Sequence, residues 1–146
     1  MRPLRSALAC AAMGLAGMGL SGAQAAAAKP PAALEQARAA FAAAVAAKDR
    51  AAVAKLTRFP LAVEGYGMRP TLTEAEFRRD KAHFQGLFFD GDAELVKCLK
   101  TQPFAWQADA KQFGARLWLL DCNGNEYFFG ERGSAYAFAA YQNINE

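Results

Sequence analysis

The hydrophobic period of this chain changes at Pro103. Between Ala32 and that point, apart from one strand-like segment at Leu61–Tyr66, apolar residues recur at three- and four-residue spacing, which is typical of helices with one buried face. After it the period is two and aromatic residues are frequent, which predicts strands. Because helices are followed by strands, the pattern predicts an α+β domain.

Four helices are predicted from this pattern. The first begins at Ala32 and carries Phe41 on its buried face, and Asp49 is a typical N-cap for a short second helix. A Thr-x-x-Glu capping box opens the third. The third and fourth cover Glu74–Gln85 and Ala93–Lys100. A strand is the alternative for the fourth segment.

The strands are bounded by proline and turn residues. Phe59-Pro60 ends the second helix, because a residue before proline is pushed out of the α region. The predicted strands are Leu61–Tyr66, Phe104–Ala108, Gly114–Cys122, Glu126–Glu131 and Ala135–Gln142.

The strand Gly114–Cys122 is apolar on both faces, since Trp118 and Leu120 alternate with leucines at 117 and 119. Helices can cover one face, so sheet curvature, a second subunit or a ligand has to cover the other. This predicts a concave aromatic surface that binds a small apolar ligand or forms a homodimer through the sheet, with an ordinary core as the alternative. The candidate ligand contacts are Tyr66, Trp106, Trp118, Tyr127, Phe129, Tyr136 and Phe138.

The N-terminal segment, from Met1 to Ala25, has the pattern of a cleavable export signal. Arg2 and Arg5 precede an apolar run, and Ala23-Gln24-Ala25 is a small-x-small cleavage site. We therefore expect a signal peptide at 1–25, a linker at 26–31 and one domain at 32–146, in the periplasm or secreted. A lipoprotein at Cys10 and an uncleaved anchor are less favoured alternatives, because that cysteine comes too early and the run is only weakly apolar.

Cleavage would lower the formal charge from +3 to about +1. A nearly neutral domain is not expected to bind nucleic acid or a membrane surface. It would keep two cysteines, Cys98 and Cys122, and an oxidising compartment favours a disulfide between them. Two small buried thiols are the alternative.

Two acidic segments admit a cation-binding interpretation. Asp121–Glu126 places oxygens at alternate positions, but it lacks the glycine and glutamate of a calcium loop, and Asn123-Gly124 is a strong hairpin signal. Asp90–Glu94 is explained by helix capping. His83 is the only histidine, and no Gly-x-Ser-x-Gly elbow accompanies it. The sequence therefore predicts no metal site and no cofactor.

Several strings of this sequence resemble those of small exported bacterial members of the nuclear transport factor two-like, or cystatin-like, superfamily. The resemblance covers Ala32–Glu146 and implies a cone in which a curved antiparallel sheet wraps around a long helix. Its carriers are Lys48-Asp49-Arg50, Leu56-Thr57-Arg58-Phe59-Pro60-Leu61, Thr73-Glu74-Ala75-Glu76-Phe77, Leu117-Trp118-Leu119 and Tyr141-Gln142-Asn143-Ile144-Asn145.

The resemblance implies packing rather than chemistry, so we expect a non-enzymatic domain that binds a small apolar ligand or a protein through its cone or sheet face. The alternative is a lyase or isomerase acting on a hydrophobic molecule in the same cavity. Enzymes of the superfamily place an acid or histidine with tyrosines inside the cone. Tyr66, His83 and Asp109 are the residues that such an activity would use first.

Overall fold

The computed structural model describes residues 28–65, 67 and 70–145. The predicted signal peptide, its cleavage site and the candidate contact Tyr66 lie outside the described residues. Helices come first and strands follow, so the predicted α+β class is confirmed.

Three of the described helices begin at the caps that the sequence predicts. The carboxylate of Asp49 accepts a hydrogen bond from the Ala52 N–H at 2.9 Å, and Thr73 forms the expected capping box with Glu76. Asp92 caps the last helix, so the strand alternative for that segment is wrong. The helices are α1 Ala32–Ala46, α2 Arg50–Lys55, α3 Glu74–Arg79, α4 Lys81–Phe88 and α5 Ala93–Thr101.

The single helix predicted over Glu74–Gln85 is wrong, because the chain breaks at Asp80 into α3 and α4. Asp80 has extended backbone angles, with φ −108° and ψ 112°, and its carboxylate accepts from the Ala82 N–H at 2.8 Å. A short acidic side chain offers the backbone a new N-cap in place of a continued helix. Phe77 and Phe84 are nevertheless both buried, as predicted.

The four strands after Pro103 are confirmed, with small shifts at their ends. The first strand begins at Thr57, earlier than predicted, and includes a cis Phe59-Pro60 peptide. Its pairing shifts register between Thr57 and Ala62. Proline has no N–H to donate to a regular sheet, so it is tolerated where the pairing is interrupted. The strands are β1 Thr57–Glu64, β2 Thr71–Leu72, β3 Ala105–Asp109, β4 Ala115–Cys122, β5 Asn125–Arg132 and β6 Ala135–Asn143.

These strands form one sheet in the order β2-β1-β6-β5-β4-β3. All neighbours are antiparallel except β1 and β6, which are parallel. The expected antiparallel sheet is therefore corrected to a mixed one. A parallel pair needs a long crossover, and the helices and strands between β1 and β6 provide it.

The main core lies between the helices and one face of the sheet. Phe41 of α1 is at its centre, with ring centroids 5.6 Å from Phe88 of α4, 5.3 Å from Phe129 and 5.0 Å from Phe138. Aromatic rings at these separations and tilts pack efficiently and exclude water. The α1 and α4 side chains therefore fill the space over the middle of the sheet.

The opposite face of the sheet carries a second, smaller apolar cluster. Leu117, Phe128, Ala139 and Ala140 are buried there. Phe113, from a 3-10 turn at 111–113, covers them with its ring 5.1 Å from that of Phe128. The prediction that both faces of β4 are apolar is confirmed, and the chain itself covers part of the second face.

Candidate ligand-binding groove

A disulfide joins Cys98 in α5 to Cys122 at the end of β4, as predicted. Their Cα atoms are 5.9 Å apart, within the range that a disulfide requires. Cys122 is buried in the main core, whereas Cys98 is partly exposed at its edge. The bridge therefore holds one end of the helical layer against the sheet.

The β4–β5 connection is the predicted hairpin turn. Asn123 and Gly124 both have positive φ, as a two-residue turn of this kind requires. The Asp121 carboxylate accepts from the Gly124 N–H at 2.9 Å, and the Asn145 amide donates to the Asn123 carbonyl at 3.0 Å. The Asp121 carboxylate, which the calcium interpretation needed as a ligand, therefore closes the turn instead.

A groove of about 610 Å³ lies between α5 and this hairpin, on the helix side of the sheet. Its apolar part is built from Leu95, the disulfide and Phe89, the C-cap residue that follows α4. Its polar part contains carboxamide and acidic residues from both walls. The lining residues are Phe89, Asp92, Glu94, Leu95, Cys98, Gln102, Asp121, Cys122, Asn123 and Asn125.

The acidic residues of α5 have a structural role at this groove. One carboxylate oxygen of Asp92 accepts from the backbone N–H groups of Glu94, at 2.9 Å, and Leu95, at 3.2 Å. This confirms the capping interpretation of the segment Asp90–Glu94. Within the described part of the chain, no three His, Cys, Asp or Glu side chains are grouped closely enough to hold a metal ion.

Most of the aromatic residues predicted to contact a ligand are buried in the core. Trp118, Tyr127, Phe129 and Phe138 are each at most 4% exposed. The Tyr127 hydroxyl donates to the Leu87 carbonyl at 2.6 Å. These four are therefore not part of an open aromatic surface, because the rings of Phe41 and Phe88 pack on three of them and the ring of Phe104 packs on Trp118.

Trp106 and Tyr136 differ from the other predicted contacts. Trp106 is 39% exposed on the edge strand β3, with its ring 5.0 Å from that of Trp118. Tyr136 is partly buried against the main core. Neither lines the groove at the disulfide.

The polar residues considered for catalysis lie apart. His83 is half-buried on α4, in the helical layer. Asp109 ends β3 and accepts from the Lys111 N–H at 2.9 Å, beside a smaller pocket of about 300 Å³ on the opposite face of the sheet. The structure therefore does not bring these two side chains into one site.

The smaller pocket also contains Glu126. Burial raises the pKa of its carboxyl, and the nearby carboxylate of Asp121 raises it further. The two acids face each other across β4 and β5, where like charges repel. Glu126 lines this smaller pocket, across the sheet from the main core, and is not among the residues that line the larger groove.

The groove is not predicted from the sequence, although several of the residues that line it are considered there for other roles. The segments Asp90–Glu94 and Asp121–Glu126 were each explained locally, and Cys98 and Cys122 were predicted to bond. That bond by itself brings α5 close to the β4–β5 turn. The residues missed altogether are Phe89, Leu95 and Gln102.

Comparisons of the chain with protein-family models, with curated proteins and with solved structures found no match. The superfamily resemblance therefore stays a prediction. None of the helices in the described ranges has the length and apolar character needed to cross a membrane.

Proposed function

We propose that this protein is a non-enzymatic binding domain, and that the groove between α5 and the β4–β5 hairpin holds a small molecule with an apolar body and a polar head. The proposal rests on the lining of the groove, which is apolar in one part and polar in the other. Leu95, Phe89 and the disulfide supply apolar contact, and amide and carboxylate side chains supply orientation. The volume lies within the roughly 300–1,000 Å³ of ligand pockets, although this lining is more polar than is usual for them.

The groove is well suited to binding because its two walls are fixed relative to each other. The Cys98–Cys122 bridge joins the walls, and Leu95 is anchored in the main core. At the other end of α5, Arg38 of α1 donates to the backbone carbonyl of Gln102. A site that is formed before the ligand arrives loses less entropy on binding.

A lyase or isomerase is the weaker alternative. Such an enzyme would need an acid or histidine with a shifted pKa close to the bound substrate. His83, Asp109 and Glu126 are the acid or histidine residues that the sequence and the pKa shift single out, and none of them lines the groove. This separation favours binding over catalysis.

We also propose that the domain works outside the cytoplasm, in the periplasm or as a secreted protein. Stable disulfides form in oxidising compartments, and the Cys98–Cys122 bond supports this location. The export-signal pattern at 1–25 points the same way. A homodimer through the sheet has less support, because Phe113 already covers part of its second face.

The experiment that tests the function uses the neutral fluorescent probe N-phenyl-1-naphthylamine, whose emission rises in an apolar site. We expect saturable binding to the purified protein. Glu94→Trp, at an exposed position on the groove wall, should raise the probe's Kd at least tenfold by filling the groove. Lys100→Trp is the matched control, since it is exposed on the same helix but outside the lining.

Melting temperatures of both variants should stay near that of the wild type, because neither position is buried. Probe binding that is absent from the wild type, or equally affected by both substitutions, would contradict the proposed function.

A further inference from the structure

The strand β3 forms one edge of the described sheet and pairs only with β4. Four of its five residues are exposed, in contrast to the largely buried strands β5 and β6. Alternate residues of an edge strand point their N–H and C=O groups away from the sheet. Within the ranges that the structure describes, no backbone hydrogen bond reaches those outward groups. The edge therefore presents unpaired donors and acceptors at strand spacing.

This edge lacks the features by which sheets usually block further pairing. Such features are proline or lysine in the edge strand, a bulge, or a helix or loop that covers the edge. The sequence Ala105-Trp106-Gln107-Ala108-Asp109 contains neither residue, and its pairing with β4 keeps one register. The opposite edge differs, because β2 is only two residues long. A further strand therefore has more backbone to pair with at β3 than at β2.

The side chains of β3 point to two faces with different properties. Trp106 lies opposite Trp118, so it belongs to the face of the main core, and it is 39% exposed. Gln107 lies opposite Leu117, so it belongs to the second face. Ala108 shares the face of Trp106, because side chains alternate along a strand. A partner strand would therefore meet a large and a small side chain on one face and an amide on the other.

The strand is complementary to a second copy of itself. In an antiparallel pair, opposite residues share a face, and one register pairs all five residues of both strands. In that register Gln107 lies opposite its own copy, and Trp106 lies opposite the small Ala108 of the second copy. Asp109 lies opposite Ala105, so like charges are not opposed. Residues with outward backbone groups meet each other, which gives about four to six backbone hydrogen bonds.

The charged residues near this edge do not oppose the pairing. Asp109, Lys111 and Arg116 lie at one end of β3. A two-fold axis sets this end beside the opposite end of the second copy, where Arg38 lies over the ring next to Ala105 and is bonded to Glu35. No charged side chain is therefore placed opposite its own copy.

We propose that the edge of β3 binds the same edge of a second copy of this chain, antiparallel and about a two-fold axis at Gln107. The two sheets then continue into one across the interface. This inference goes beyond the proposed function and does not depend on it, because no residue of β3 lines the groove at the disulfide. Two strands of five residues bury little surface, so we expect a weak dimer, with a Kd of roughly 10–100 μM.

The first test is sedimentation velocity of the purified protein over a concentration series that spans this Kd. We expect the average mass to rise from that of one chain towards that of two. The emission of Trp106 should shift to shorter wavelength over the same range, because the second copy covers it, whereas Trp118 is already buried. A single-chain mass with constant emission at about tenfold above the expected Kd would overturn the proposal and assign the edge to a strand of another protein.

Charge substitutions at Gln107 test the register. Gln107→Lys and Gln107→Glu should each raise the Kd of the dimer about tenfold, because like charges then face each other across the axis. Mixed in equal amounts, the two variants should associate again, because opposite charges face each other. Thr71→Lys and Thr71→Glu are the matched controls, since Thr71 is exposed on the edge strand β2. These controls should dimerise like the wild type.

A second variant keeps the test valid if the changes at the half-buried Gln107 impair folding, which thermal melts would show. Ala105→Asp, at an exposed position, puts a carboxylate opposite Asp109 of the second copy and should also raise the Kd about tenfold. A dimer that is unaffected by Ala105→Asp and by each Gln107 variant would mean that another surface associates. A mixture of folded Gln107 variants that stays monomeric would mean that the strands do not pair at this residue. Either result overturns the proposal.

Discussion

Cys98 and Cys122 are bonded across the boundary between helix and sheet, with Cα atoms 5.9 Å apart, and both residues line the groove. The bond connects α5 to the end of β4, beside the hairpin turn. It therefore acts on stability and on the shape of the groove at the same time.

Removing this bond should destabilise the domain. We expect Cys98→Ala with Cys122→Ala to lower the free energy of unfolding by about 3 kcal/mol, as chain entropy predicts for a bridge that closes a loop of this length. Urea denaturation measures the change, and the wild type treated with dithiothreitol should show a similar loss. Equal midpoints for oxidised wild type and variant would contradict the prediction.

A buried aromatic side chain of the helical layer should be essential for folding. Phe77 is fully buried and its ring is 5.8 Å from that of Phe59 in β1. Phe77→Ala is expected to cost about 3–5 kcal/mol of unfolding free energy, since it leaves a cavity. Ile144→Ala, at a position that is half exposed, is the control and should change stability little. Denaturant melts of the two variants that coincide would show the assignment to be wrong.

The pH dependence of stability should change when Glu126 is replaced. Because folding raises the pKa of this carboxyl above its ordinary 4.5, the folded state prefers the protonated acid. The resulting stability is present below about pH 4.5 and is lost as pH rises through the raised pKa. Glu126→Gln should therefore be the more stable protein at pH 7, by less than about 1 kcal/mol because water screens the side chain.

The measurement is a series of urea melts from pH 4 to 7, with Glu131→Gln as the control on the same strand. We expect the advantage of Glu126→Gln to vanish towards pH 4. An advantage that stays constant with pH would mean that titration of this group is not its cause.

The β4–β5 turn should be more sensitive to an added methyl group than the β5–β6 turn. Both Gly124 and Gly133 have positive φ, so alanine is strained at either position. A Cβ at Gly124 would lie 2.1 Å from Nδ2 of Asn145, whereas at Gly133 there is no atom within 4 Å.

Gly133→Ala should therefore lower the free energy of unfolding by about 1 kcal/mol, from backbone strain alone. Gly124→Ala should lower the free energy of unfolding by more, because the Asn145 side chain has to move and gives up its hydrogen bond to the Asn123 carbonyl. Thermal melts of the two variants measure the difference. Equal losses would indicate that the Asn145 contact contributes nothing.

Local chemistry made much of the fold predictable from the sequence. Asp49, Thr73 and Asp92 begin helices because their side chains accept hydrogen bonds from amides within the next few residues. Asn123-Gly124 makes a hairpin because both residues tolerate positive φ. The disulfide could also be predicted, since only two cysteines remain after the signal pattern.

Contacts between distant segments decided the rest. The parallel pairing of β1 with β6 and the burial of Trp118, Tyr127, Phe129 and Phe138 depend on which helix covers which strand. Periodicity shows that a face is apolar but not what covers it. The groove exists for the same reason, because packing brings α5 beside a turn that is distant in the sequence.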